Sequence, residues 1–573
     1  MFLITIINII CIMRKGILLL LSFFLIASAA SARTINEKKA KKIAIDFLTS
    51  KRHINTDVMI CNPYVSTRSV VSEAGYYIFN STDGKGFAIV AAEDELPEII
   101  GYSATGHIDS QSMPDALKLF LDSYSQYVED IRNGIAVASD YSATRSSDLP
   151  AEVEPMVKTQ WNQPAPYNKY CPDDCPAGCV AVAMGQIMNY HKWPNVGTGA
   201  SFTTYNGKAI SVDFSKSEYR WDLMKNTTKE LKEDEEAADA VAKLLFDCGI
   251  SLKMNYSKNG SGAFDKNVPL ALFNFFGYKH TALVYDSPDY YSSKEEWLVK
   301  MKKEIVDGRP IYYSASSPKG GGKDAGGHAF VISGYDEKDL VHVNWGWGGK
   351  DNGYYDIFRL DPGAYAFTDG QTAIYGIVPN TDGIDGEYLP LPAIAPIETN
   401  ATVLASSGTG YESFNISVGK IFNFNPISAK WSYGIGLYDN NGNFIKKIQT
   451  GNFSITLEPY YSRQNLAFVC SLPSDIQDGE YIVKMFFKYN GDFVEPRVEG
   501  GKMNNYLHLV VADGKATIDK EPVTSGISQV TVDDMLKSST SYFNLSGQRL
   551  SSPSSRNIVI LKQGNNVRKI MAQ

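Results

Sequence analysis

Cysteine and histidine are scarce, with seven of each in 573 residues. Too few cysteines are present for a disulfide-dense scaffold, and Cys61, Cys248 and Cys470 are so scattered that they read as ordinary buried thiols. Basic charge is also short. Fifty-five Lys and Arg face 63 Asp and Glu, a net charge of −8, and no basic stripe occurs anywhere. A chain without a basic face cannot neutralise phosphates, which argues against nucleic acid as its main partner. Beyond the first thirty-odd positions no apolar run reaches the roughly 20 residues of a membrane-spanning helix, so no integral span is expected in the mature chain. Solenoid-type repeats are missing too.

What is present describes a globular chain of several domains. Hydrophobic residues make up 44% and charged residues 21%, an ordinary globular balance. At roughly 100–200 residues per domain the length predicts three or four. The N-terminus carries an export signal. Arg14 and Lys15 precede the apolar run from Gly16 to Ala27, and Ala30-Ser31-Ala32 forms a small-residue cleavage site. Residues 1–32 are therefore expected to be a signal peptide, with Met13 as an alternative start and Arg33 as the new terminus. Such a chain is secreted, or exported to the periplasm or cell surface.

The pattern then changes along the chain. Residues 35–50 (INEKKAKKIAIDFLTS) have amphipathic helical spacing, 76–103 predict short strands around a DGKG turn, and 114–134 predict a second helix. The polar stretch SDYSATRSSDLPAEVEP is a linker open to proteolytic nicking. Residues 146–380 are richest in Trp, Gly and His. Helices are expected at 179–191, 229–249 and 292–307, and strands at 310–315, 328–335, 340–345, 353–359 and 373–378. Helices followed by a run of strands predict an α+β domain. A Pro- and Gly-bearing linker covers 381–396. Alternating short segments over 397–518 predict a β-sandwich, and 519–573 a polar tail ending in a short β-unit that could sort the protein to a surface.

The chemistry concentrates in two segments. In CPAGCVAVAMGQIMNYH, Pro176 and Gly178 bend the chain and an apolar helix begins at Cys179. A thiol at a helix start faces unpaired N–H groups and the positive end of the helix dipole, both of which favour the nucleophilic thiolate. In GGHAFVISGYDEKDLVHVNWGWGG, His328 opens one strand and Asn344 and Trp345 close the next. Antiparallel pairing would bring them to one rim, where His328 can take the thiol proton, Asn344 can orient the imidazole and Trp345 can cover the pair.

These residues resemble the streptopain family of papain-like cysteine peptidases. The resemblance runs through CPAGCVAVAMGQIMNYHKWP, GGHAFVISGY and HVNWGWGG, and the 16 positions from His328 to Asn344 (344 minus 328) fit it. It covers about residues 150–380. It implies a papain-like fold, Cys179 as nucleophile and His328 as general base and then acid. Asn344 would orient the imidazole and Trp345 would shield it. It places Gln163, in WNQPAPYN, as the side-chain donor of the oxyanion hole. It also implies that 33–145, with its GFAIVAAEDELPEIIGYS run, is an inhibitory propeptide that self-cleavage removes. A hydrophobic residue would be preferred two positions before the scissile bond. The last 190 or so residues lie outside it.

The expected partners are protein or peptide substrates and the chain's own propeptide. The chemistry calls for no metal or organic cofactor. Cys171, Cys175 and Cys179 are spaced unlike zinc pairs or cluster runs, and a Cys171–Cys175 disulfide is preferred over a metal site. His191 and His342 read as structural. The loop SSPKGGGKDAGG lacks the features of a phosphate cradle and reads as a gate over the cleft. The rival to an enzyme is a non-catalytic surface protein that binds through its C-terminal sandwich.

Overall fold

The computed structural model describes residues 34–61, 75–138, 149–291, 293–316, 327–360, 367, 370–406, 410–499 and 506–519, with backbone alone for 529–530, 540–543, 549–550, 558–563 and 566–572. The signal segment, most of the expected nicking linker and the glycine-rich loop at 317–326 lie outside these. By contacts the chain divides into two units, residues 1–113 with 120–140, and residues 114–119 with 141–573.

The first unit opens with helix α1 (Glu37–Arg52). Its start is capped by the Asn36 side chain, which accepts from the Lys39 N–H at 3.0 Å, and Ala40, Ala44 and Leu48 at four-residue intervals form its buried stripe. Strands β1 (Val58–Cys61), β2 (Tyr76–Ser81), β3 (Phe87–Ala91) and β4 (Ile99–Ser103) follow as an antiparallel meander. Helix α2 (Asp115–Arg132) returns, and its last residue pairs with buried Glu93 just beyond β3. At the β2–β3 turn the Arg52 guanidinium and the Ser81 hydroxyl hold the Asp83 carboxyl well below the usual carboxylate range.

In the second unit, helix α3 (Cys179–His191) is buried along nearly its whole length. A hairpin of β5 (Ala200–Tyr205) and β6 (Lys208–Asp213) comes next. It turns at Asn206-Gly207, both with positive φ (48° and 74°), the pair that a two-residue hairpin loop demands. Helices α4 (Thr228–Glu233), α5 (Glu235–Ser251), α6 (Asn267–Phe276) and α7 (Lys294–Val306) follow along the chain. The expected single helix over 229–249 is two. Thr227 and Glu230 form a capping box on the first, and the Asp234 side chain accepts from the Ala237 N–H at 3.0 Å, restarting the second.

Strands β7 (Val284–Asp286), β8 (Ile311–Ser316), β9 (Gly327–Tyr335), β10 (Val341–Asn344), β11 (Gly353–Tyr355) and β12 (Thr372–Tyr375) build a sheet whose order here runs β11-β10-β9-β8-β12-β7, with every neighbouring pair antiparallel. Helix α3 packs across β8 and β9. Val180, Ala183, Met184 and Ile187 join Tyr312, Ala329, Val331 and Ile374 in one core. With α3 on the face of Tyr312 and Val331, and α7 on the opposite face, where Trp297 Nε1 donates to the Tyr313 hydroxyl at 3.2 Å, the antiparallel sheet makes this the expected α+β domain.

Residues 389–518 bury a core of their own around Trp431, Ile416, Ile435, Val483, Phe487 and Leu509. Phe414–Phe422 pairs with Ser462–Cys470 in one sheet, and Ala429–Asp439 with Gly479–Tyr489 in another. Along Phe414–Phe422 buried and exposed residues alternate over the first six positions, the signature of a sheet with one face in a core. The stretch expected as a linker is tied down at both ends. Lys279 Nζ reaches Asp382 at 2.8 Å and the His280 N–H donates to Asp385 at 3.0 Å, while Ala393–Ile394 pairs inside the sandwich sheet. Leu389 and Leu391 are in the sandwich core, which binds the segment more strongly than its composition foretells. The last strands, from Gln529–Val530 to Asn566–Ala572, form a separate small sheet. No helix among the described residues is long and apolar enough to cross a membrane.

Candidate active site

Cys179 is the first residue of α3, and Gly178 before it has φ 92°. A side chain there would be strained by the positive φ, and its Cβ, 2.7 Å from Met254 Cε, would also push that methionine aside. Glycine thus lets the chain enter the helix with the thiol aimed past Met254. At this position the first turn of N–H groups has no intrahelical acceptor, and the dipole favours negative charge.

The second component comes from β9. In its register with β8, His328 stands opposite Ala315 and Ala329 opposite Ser314. The Cys179 thiol faces the His328 imidazole and the backbone N–H of Ala329, both of which favour its thiolate. Burial alone would raise the thiol pKa. The facing His328 charge and hydrogen bond outweigh it, with Ala329 adding to them and the Asp265 charge opposing, and the pKa falls below the ordinary thiol value. His328 is the mirror case. Burial disfavours its charged form, but Cys179 and the Trp345 carbonyl prevail and its pKa rises. The pair is thereby biased towards thiolate and imidazolium.

His328 Nε2 lies 2.8 Å from the Trp345 carbonyl oxygen. This corrects the expectation for Asn344. Its amide instead donates to the Thr159 carbonyl at 2.6 Å and to Gln186 Oε1 at 3.1 Å, and its oxygen accepts from the Gly346 N–H at 3.1 Å. Asn344 therefore fixes the loop whose carbonyl holds the histidine. The expectation for Trp345 also changes. Its ring packs on Phe330 and Tyr355, with centroids 4.9 and 5.3 Å away, and the ring beside His328 is Trp347, edge-on at 6.2 Å. Strand geometry explains both shifts, because at the end of β10 a side chain and its own carbonyl point in different directions.

Gln163 is beside the nucleophile's turn. Its carbonyl accepts from the Ala177 N–H at 3.0 Å, and its side chain is only partly buried. Residues that sequence reading missed are Trp347, Asp265 and Gln186. Gln186 Oε1 accepts from Thr159 Oγ1 at 3.1 Å and the Trp161 N–H at 3.2 Å as well as from Asn344, linking α3 to the loop after β10. The signals were the second tryptophan of WGW and a glutamine within an otherwise apolar helix.

The remaining expectations concern cysteine and histidine. Cys171 and Cys175 are free, buried thiols, not a disulfide. Burial pushes Cys171 up to about 12, and Cys175 Sγ lies 3.8 Å from the Tyr205 hydroxyl. Burial lowers His191 and His342 to about 4, so both are neutral packing groups at pH 7. Among the described residues no group of three or more His, Cys, Asp or Glu could hold a metal ion.

A pH profile tests the pairing. Cys179 loses its proton at lower pH than a free thiol (about 8.5), and His328 keeps its proton to higher pH than a free imidazole (about 6.5). The rate of Cys179 alkylation should stay high well below pH 8, and kcat/KM should be bell-shaped. In His328→Ala burial and the Asp265 charge are opposed only by the Ala329 N–H and the helix start, so the alkylation rate should climb only at more alkaline pH than in the wild type. An unchanged alkylation profile in that variant would sink the ion pair.

Comparison with known proteins agrees with this geometry. The Peptidase C10 family model matches residues 161–355, and the Spi protease inhibitor model matches residues 32–128. Streptopain of Streptococcus pyogenes is 32% identical over 385 residues, covering 60% of this chain and 92% of streptopain. The thiol protease/hemagglutinin PrtT of Porphyromonas gingivalis is 28% identical over 499 residues, 80% of this chain, and the chain spans 54% of PrtT's length. A solved fragment of Prevotella intermedia prointerpain A is 31% identical and covers 56% of this chain and 99% of its own, with a TM-score of 0.47. With that identity over almost all of streptopain, and the family's match spanning both the Cys179 helix and the His328 strand, the chain belongs to the Peptidase C10 family.

Proposed function

We propose that the chain is an exported cysteine endopeptidase made as a zymogen. The observation that carries this is the Cys179–His328 pair, a depressed thiol at a helix start facing an imidazole anchored on the Trp345 carbonyl. Cys179 attacks the peptide carbonyl. The Cys179 N–H and the Gln163 amide hold the oxygen that becomes negative. His328 protonates the departing amine, then takes a proton from water as the acyl-enzyme is hydrolysed. Asn344 and Trp345 position the histidine. Residues 33–145 act as the inhibitor, and the match to an inhibitor family over residues 32–128 favours that reading. A non-catalytic binding protein would have no use for a tuned thiol.

Intact mass over time for residues 33–573, with Cys179→Ala in parallel and under mild reduction, tests the proposal. The wild type should shed its N-terminal segment and then cut casein internally, while the mutant does neither. If the wild type stays whole, a trace of trypsin should nick the linker and release activity in the wild type alone. Silence in both after nicking would overturn the peptidase reading in favour of the binding protein.

A further inference from the structure

The sandwich meets a segment of the catalytic domain that neighbours Cys179. Asp265, just before α6, accepts hydrogen bonds from the Tyr312 hydroxyl and from Ser314 Oγ at 2.9 Å, both on β8. Ser314 stands opposite Ala329, whose N–H favours the Cys179 thiolate, and the Asp265 charge is itself felt by that thiol. The segment 264–266 therefore flanks the nucleophile. On either side of Asp265 it displays Phe264, 75% exposed, and Lys266.

A third side chain arrives from the other domain. Tyr461 of the sandwich is 55% exposed, and Lys266 Nζ sits 4.1 Å from its ring centroid and 5.9 Å from that of Phe264. Two exposed rings thus bracket one ammonium, one ring from each domain. The arrangement is built. The Asn423 backbone pairs with both tyrosines of the turn, at 2.9 Å to the Tyr461 carbonyl and 2.8 Å from the Tyr460 N–H. Tyr460 has φ 62°, an uncommon conformation for a tyrosine, and lies beneath the surface against Tyr285 at 5.0 Å. Exposed aromatic rings held rigidly beside a catalytic group are characteristic of recognition surfaces.

We infer that Phe264, Lys266 and Tyr461 form a composite subsite for the polypeptide substrate, seating an apolar side chain some residues away from the scissile bond. The inference rests on the peptidase reading above. It makes the sandwich part of substrate selection, so that long substrates are preferred over short ones that end before the subsite.

The test compares a dipeptidyl fluorogenic substrate with an octapeptide containing the same cleavage site and an apolar residue at its far end. In Tyr461→Ser, the ratio of kcat/KM for the long to the short substrate should fall about five- to tenfold, mainly through KM, the loss expected for one ring contact. Tyr461→Phe should keep the wild-type ratio. An unmoved ratio in Tyr461→Ser, or an equal fall on both substrates, overturns the subsite and leaves the peptidase reading standing. A nicked wild type inactive on both substrates overturns the two together.

Discussion

Cys179→Ala should lower kcat/KM on any peptide by at least about 10⁴-fold, the scale on which nucleophile removal acts in enzymes with a base-activated nucleophile. The expectation follows from position. The thiol is where the helix start, the Ala329 N–H and the His328 charge converge, and alanine has nothing there to deliver to a carbonyl. His328→Ala should cost nearly as much, because both residues serve one proton-transfer step, and the double variant should be scarcely worse than either single one. Gln163→Ala should cost less, about 10²–10³-fold, the usual loss for one oxyanion donor. Asn344→Ala should act on the histidine indirectly. Its loss frees the loop carrying the Trp345 carbonyl, so the alkaline limb of the pH profile should move to lower pH as His328 loses that acceptor. Steady-state kinetics across the four variants would check the ranking. Additive losses for Cys179 and His328 would show that they do not work as a unit.

Arg497→Met should destabilise the second unit by about 3–5 kcal/mol, the cost of leaving a buried charge without its partner. Arg497 belongs to the sandwich and reaches Asp286 of β7 at 2.6 Å, with the Asp286 side chain fully buried. Asp286 also accepts from Tyr375 Oη at 2.7 Å, Tyr291 Oη at 2.8 Å and the Ser287 N–H at 2.9 Å. The guanidinium is enclosed by aromatic rings, 5.2 Å from Tyr290 and 5.4 Å from Phe424. Removing the arginine leaves a carboxylate shut away from water. Adding Asp286→Leu should recover most of the loss, since an apolar pair often replaces a buried ion pair at little cost. Urea unfolding of the full chain, read as a midpoint shift at constant slope, measures both. A shift under about 1 kcal/mol for Arg497→Met would mean that the pair behaves as a surface contact.

The two predictions concern features of unequal visibility in the sequence. The nucleophile was legible because its local requirements are contiguous: a glycine able to hold φ 92°, a cysteine, then an apolar helix. The histidine was legible from its place at the head of a strand. The helices expected over 35–50, 114–134 and 292–307 are present as Glu37–Arg52, Asp115–Arg132 and Lys294–Val306, legible from their helical spacing. The break at Asp234 was missed because apolar spacing ran on through a residue whose side chain caps a new helix. The β5–β6 hairpin was missed although Asn206-Gly207 marks it, because β5 turns polar Ser201 and Thr203 inward and Phe202 outward, and β6 buries no residue.

What sequence by itself determined is therefore the fold class, the family and the pair proposed as nucleophile and base, all of which depend on neighbours along the chain or on short spacings. Tertiary structure alone decided which atom holds the histidine, which ring stands beside it and what the sandwich touches. Asn344, Trp345 and Trp347 lie within four positions, so no spacing rule can separate a side chain's role from a carbonyl's. The direction of each group is set by how β10 ends against β9 and Gln186. Arg497 and Asp286 are 211 positions apart. Each alone resembles a solvated charge, and only the packing of one domain on the other removes the water that would have screened them.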